Sequence, residues 1–215
     1  MPAITLQGPA GALEARHHPA AEPDAPTALV LHPNPRFGGN MNTLVVYALF
    51  TVFQDAGFGA LRFNFRGTGR SAGQFTGGTG ELADALAAWD WLAQSQPLAR
   101  KRFLAGFSFG AWIALQLARQ RTVDGLMVVA PPVNRLDFSS VKGWPAPTLL
   151  IHGTADALVP ESAVREFAET QNAAGGLTAR YHAVAGASHF FESGQEELAR
   201  LASGWLQTTD GGVRK

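Results

Sequence analysis

The stretch Ala105-Gly106-Phe107-Ser108-Phe109-Gly110-Ala111-Trp112 sets one serine between two glycines, directly after one apolar run and directly before another. Residues 102–105 read as a strand, and residues 112–117 continue in helical register, so Ser108 falls at the junction. Gly-x-Ser-x-Gly in a strand-turn-helix setting is the pattern of a nucleophile elbow. Its glycines have a steric reason: the turn is so sharp that a side chain at either position would strike the neighbouring element. The serine is then expected in a strained conformation, with its hydroxyl raised above the sheet.

Working outward, short apolar or β-branched runs at 27–31, 61–65, 102–105, 126–130, 148–151 and 180–184 alternate with helix-like stretches. That alternation predicts a mostly parallel sheet covered by helices on both faces, an α/β fold. Residues 81–94 set Leu82, Ala85, Leu86, Trp89, Leu92 and Ala93 on one helical face ahead of Pro97. Residues 42–55 and 161–170 read similarly. The runs 4–6 and 13–16, separated by Gly8, Pro9 and Gly11, predict an antiparallel hairpin at the sheet edge.

A serine hydroxyl needs a base within reach and a third group to orient that base. The chain supplies both in the order serine, acid, histidine. The strand 149–151 leads into His152-Gly153-Thr154-Ala155-Asp156, which puts Asp156 on the loop beyond its C-terminal end. The strand 180–184 leads into Ala185-Gly186-Ala187-Ser188-His189, which does the same for His189. In a parallel sheet such loops open on one rim, so Ser108, Asp156 and His189 are expected to converge there. The plainer alternatives are Asp156 as a helix cap and His189 as a helix-start residue. His152 reads as structural, at a strand end, and His32 is open. A zinc site from His32, His152, Asp156 and His189 is chemically conceivable, but no His-x-x-x-His pair supports it, and no metal or cofactor is expected.

Acyl transfer also needs hydrogen-bond donors aimed at the developing oxyanion. One is the backbone N–H of Phe109, at the start of a helix. The other is expected from His32-Pro33-Asn34-Pro35-Arg36-Phe37-Gly38-Gly39. Pro33 and Pro35 have no N–H, which leaves Asn34, with Arg36 or Phe37 as alternatives. Phe37 and Phe107, with Phe75, are candidates for an apolar substrate wall.

Composition bounds the rest. Lys+Arg and Asp+Glu number 17 each, so no net field attracts polyanions, and nucleic acid is not an expected partner. Hydrophobic residues at 46% and charged residues at 16% suit one globular domain, expected over 1–207 with a flexible tail at 208–215. The absence of cysteine excludes disulfides and thiolate metal sites. Neither a leader-like start nor an apolar run of about 18 residues is present. The expectation is a soluble, cytoplasmic protein without membrane contact, a monomer or homodimer. The turn Gly67-Thr68-Gly69 is followed by Gly73, which departs from the Gly-x-Gly-x-x-Gly dinucleotide fingerprint.

Together the stretches LHPNPRFGGNMN, LRFNFRGTGRSAG, LAGFSFGAW, APPVN, IHGTADALVP and GASHFF, spread over residues 29–191, resemble the α/β-hydrolase superfamily. More narrowly they resemble its small lidless serine hydrolases of carboxylesterase type. The resemblance implies the α/β-hydrolase fold, Ser108, Asp156 and His189 as a triad, and Phe109 with Asn34 as oxyanion donors. One departure is His32-Pro33, where many relatives have His-Gly. Residues 131–147 are too few for a helical cap, so an open site acting on small esters is expected. Thioester hydrolysis, acyl transfer, peptide cleavage or a non-catalytic binding role would use the same residues.

Overall fold

The computed structural model describes residues 3–210. Eight strands form one sheet: β1 (Ala3–Gly8), β2 (Gly11–His18), β3 (Thr27–Leu31), β4 (Gly59–Phe63), β5 (Arg102–Phe107), β6 (Gly125–Val129), β7 (Thr148–Gly153) and β8 (Ala179–Val184). Their order is β1-β2-β4-β3-β5-β6-β7-β8. β1 and β2 form the edge hairpin, β2 pairs antiparallel with β4, and all later pairings are parallel. β3, β4, β6 and β7 are buried along their whole length. That burial is why they read as continuous apolar runs instead of alternating ones.

Five helices cover the sheet: α1 (Leu44–Asp55), α2 (Thr79–Ser95), α3 (Phe109–Leu117), α4 (Glu161–Ala173) and α5 (Gln195–Thr209). α1 and α5 share one core layer with Val30, Phe103, Phe107 and Phe191. α2, α3 and α4 share the other with Leu29, Phe63, Phe65 and Leu104. α5 runs through Thr208 and Thr209, and Asp210 pairs with Arg100 at 3.0 Å, so the part of the expected tail at 208–210 is ordered; 211–215 lie outside the described residues. Between β6 and β7 there is no helix and no cap domain. None of the described helices is long and apolar enough to cross a membrane.

The winding reverses between β3 and β5, because the chain passes from β3 outward to β4 and then returns across β3 to form β5. At such a switch point the loops leaving two neighbouring strands part and open a crevice. Here those are the loop beginning at His32 and the turn at Ser108, since Leu31 lies beside Gly106 in register.

β4 ends at Phe63, two residues short of the expected 65. The N–H of Asn64 goes to Glu14 O, and that of Phe65 goes to an imidazole, His32 Nε2, at 2.9 Å. Because Nε2 accepts, the proton sits on Nδ1, which donates to Pro33 O at 2.7 Å. His32 is thus a fully buried neutral staple between the β3 loop and the end of β4. The turn after β4 is closed by the chain itself. Arg66 holds Asp84 of α2 through Nε and Nη2 at 2.9 and 2.7 Å, and Gly67, Gly69 and Gly73 take positive φ. α2 starts only at Thr79, so no helix follows this turn as nucleotide binding would require.

Burial pushes the His32 ring down to a pKa of about 4. Above pH 6.5 the ring is neutral folded and unfolded, and its contribution to stability is complete. As pH falls from 6.5 toward 4, the unfolded chain takes up a proton that the folded ring refuses, and stability drains away. Urea unfolding is expected to show a loss of roughly 2 to 3 kcal/mol from this residue between pH 7.5 and 4.5. His17 and His152, also lowered by burial, add in the same direction. His32→Gln, less stable throughout, should have a shallower pH slope by that amount; an unchanged slope would refute the assignment.

Candidate active site

β5 runs into α3 with only Ser108 between them. Ser108 has φ 53° and ψ −117°, a region that a residue with a Cβ rarely occupies. It is held there from both sides: its N–H donates to Val129 O at 2.8 Å, and its carbonyl accepts from the N–H groups of Ala111 and Trp112. The flanking glycines act through space and not through φ. A Cβ on Gly106 would lie 2.2 Å from Gly110 O, and one on Gly110 would lie 2.4 Å from Leu31 O. The helix therefore starts against both its own strand and β3.

The structure brings the three widely spaced residues into one row. His189 Nε2 is 3.0 Å from Ser108 Oγ, and His189 Nδ1 is 2.6 Å from Asp156 Oδ2. A carboxylate only accepts, so Nδ1 carries the proton and Nε2 is free to accept from the serine hydroxyl. Asp156 is anchored by its other oxygen, which accepts from Leu158 N–H at 2.8 Å and Val159 N–H at 2.9 Å. Burial would push this carboxyl up. The bond from His189 and the two N–H groups outweigh that and hold it below the usual range. Asp156 does not cap α4, whose N-cap is Pro160 with no side-chain cap bond; one oxygen closes the turn ahead of that helix and the other meets His189.

His189 sits in a turn with its own fixings. Phe107 packs beneath the imidazole at 5.3 Å between ring centroids. Ser188 Oγ donates to Glu192 and accepts from Phe190 N–H. Phe191, two residues on, has φ 57° and is fully buried in the α1–α5 core layer. A bulky residue at positive φ is strained, and here core burial holds it.

Beside Ser108 the loop after β3 curls around Asn34. Its carbonyl accepts from Phe37 N–H and Gly39 N–H, both at 3.1 Å, and its Oδ1 accepts from Arg36 N–H at 2.9 Å. Arg36 and Phe37 are therefore spent as donors. The N–H groups of Asn34 and Phe109 have no acceptor among the described residues, and both residues line the same cleft as Ser108. Pro33, in place of glycine, gives no N–H but takes the His32 proton with its carbonyl.

The cleft has a volume of about 600 Å³. Phe37 lines it, 85% exposed, as expected. Phe107 does not: β5 extends through it, and the strand's alternation turns its ring into the α1–α5 layer. Phe75 is also outside the wall, packed on Phe109 at 5.6 Å. The wall instead uses Pro132, Arg135 and Leu136 after β6, Leu158 and Val159 after β7, and Phe190 after β8. Sequence reading missed these six, although each lies on a loop following a parallel strand. The segment after β6 is pinned to the body: Trp112 Nε1 donates to Asp137 O at 2.8 Å, and Asn134 Nδ2 to Leu158 O at 3.1 Å.

His152 is structural as read, with Nε2–H donating to Val159 O at 2.9 Å. Among the described residues no group of three or more His, Cys, Asp or Glu is disposed to hold a metal ion.

Comparison with known proteins agrees with this architecture. The sequence pattern of the dienelactone hydrolase family matches residues 72–210, and that of X-Pro dipeptidyl-peptidase (S15 family) matches residues 1–140. An uncharacterized protein of Rickettsia prowazekii is 41% identical over 213 residues, 97% of this chain and 90% of its own. A crystal structure of a protein of unknown function from Agrobacterium tumefaciens is 42% identical, with a TM-score of 0.94 over 98% of this chain and 97% of its own. An α/β serine hydrolase without lid from Xanthomonas campestris is 34% identical, with a TM-score of 0.87 over 96% and 94% of the two chains.

Because Gly110 abuts the backbone of β3, Gly110→Ala must push two elements apart. It is expected to cost about 3 kcal/mol and to lower the melting temperature by roughly 10 °C. Gly204→Ala, in α5 where nothing lies within 4 Å of an added Cβ, should not destabilise; calorimetry on the two variants is the check.

Proposed function

The chain belongs to the α/β-hydrolase superfamily, in its group of small lidless serine hydrolases, and on that footing we propose that it is a serine esterase acting on small carboxylic esters. The observation that carries this reading is the continuous row Ser108–His189–Asp156 at the floor of an ester-sized cleft, with two uncommitted N–H groups beside it.

Ser108 Oγ attacks the acyl carbonyl carbon while its proton passes to His189 Nε2. Asp156 steadies the imidazolium that results. The negative charge on the former carbonyl oxygen is met by the N–H groups of Phe109 and Asn34, the first carrying the positive end of the α3 dipole. Collapse breaks the ester C–O bond, and the alcohol leaves with the proton from His189. Water then attacks the acyl-serine and gives a proton to His189; collapse breaks the acyl C–Oγ bond, Ser108 Oγ takes that proton back, and the carboxylic acid leaves.

The open cleft favours small or externally held substrates over long acyl chains, since no cap closes over the site. Thioesters and acyl acceptors other than water fit the same chemistry. Among the described residues neither Asp nor Glu lines the cleft, so the reading of an ester is favoured over that of a peptide with a free amino terminus.

A fluorophosphonate probe is expected to label wild-type protein at Ser108 and to leave Ser108→Ala unlabelled. The same substitution should lower kcat/KM on 4-nitrophenyl acetate by at least about 10⁴-fold. Across 4-nitrophenyl esters, turnover should fall from butyrate to palmitate. Full activity in Ser108→Ala would sink the proposal.

A further inference from the structure

Among the described residues Arg135 is the only permanently charged side chain lining the cleft, which is otherwise built from Pro33, Phe37, Leu136, Leu158, Phe190 and their neighbours. Arg66, Arg70, Arg100, Arg121, Arg165 and Arg200 each have a carboxylate within 4 Å, whereas several other arginines, Arg36, Arg180 and Arg135 itself among them, have none among the described residues; what sets Arg135 apart is that it lines the cleft. Asp137, two positions on, accepts instead from Ser139 N–H at 2.8 Å. The side chain is exposed and has one tie: Nε donates to Leu158 O at 3.3 Å, the carbonyl that also accepts from Asn134. That bond ties the loop after β6 to the loop carrying Asp156, and it leaves both Nη groups without a partner among the described residues.

A planar fork of donors, held by its stem at the wall of an apolar cleft and left uncompensated, matches a carboxylate. We propose that Arg135 is a specificity residue that selects esters bearing a second, free carboxylate remote from the scissile carbonyl, such as half-esters of dicarboxylic acids. The inference rests on the esterase reading and adds the substrate class to it. Ser108 works on the ester group while Arg135 receives the anionic end, which orients the molecule along the cleft.

Monomethyl glutarate and dimethyl glutarate share a backbone and differ in one charge, so their kcat/KM values, followed by proton release, make the test. Wild-type protein is expected to prefer the half-ester. Arg135→Gln should lower kcat/KM for the half-ester about tenfold more than for the diester, and 0.5 M salt should shrink the wild-type preference. Equal losses on both esters, or a wild-type preference for the diester, would overturn the inference and leave the esterase reading intact. Calorimetric binding of monomethyl glutarate to Ser108→Ala, with and without Arg135→Gln, decides the matter without turnover. Binding weakened about tenfold supports Arg135, and equal or absent binding refutes it. Loss of all hydrolysis by wild type would instead count against Ser108 as nucleophile.

Discussion

The site depends on one close approach of backbone to backbone, where the first turn of α3 presses on the end of β3. Leu31 O and Gly110 come so near that no side chain fits between them, and Gly106 meets Gly110 O in the same way on the other side. With α3 forced that low, the chain has one residue in which to turn, and Ser108 takes the strain. The same approach sets the loop after β3 against the helix start, so that the N–H groups of Asn34 and Phe109 line one cleft. The position of Ser108 and that of the two N–H groups are thus two results of a single packing constraint.

Electrostatics then fills in what packing leaves open. The chain has no net charge and pairs many of its ions locally, as with Arg66 on Asp84 and Arg121 on Asp90. Some buried polar groups are closed off one against another, as with His32 between Phe65 and Pro33 and Glu81 between Thr76 and Gly78 at the head of α2. Some groups on the cleft wall have no partner among the described residues. They include two N–H groups and the two Nη groups of one guanidinium, all on the cleft that holds Ser108.

The fold was legible because buried parallel strands leave apolar runs with Gly or Pro at their ends, and β3 reads at its observed limits, residues 27 to 31. The Ser108, Asp156 and His189 convergence was legible too, since loops after parallel strands share one rim. Two things were not. β4 stops early because a histidine from another loop takes the Phe65 N–H, a contact 33 residues distant that no local pattern encodes. The cleft wall was misread at Phe107, whose nearness to Ser108 in sequence hides the alternation that turns it into the core. Arg135 was missed because the stretch between β6 and β7 has neither helical nor strand periodicity.

Phe191 carries a consequence for how the protein responds to heat. Its left-handed backbone is tolerable only while its ring stays locked in the layer between α1 and α5, and His189 is two residues upstream. Loosening of that layer lets the residue relax to an ordinary conformation and swings the imidazole out of line. The position of His189 is therefore coupled to the tightness of the far core, so whatever loosens that layer, heat included, acts on the imidazole.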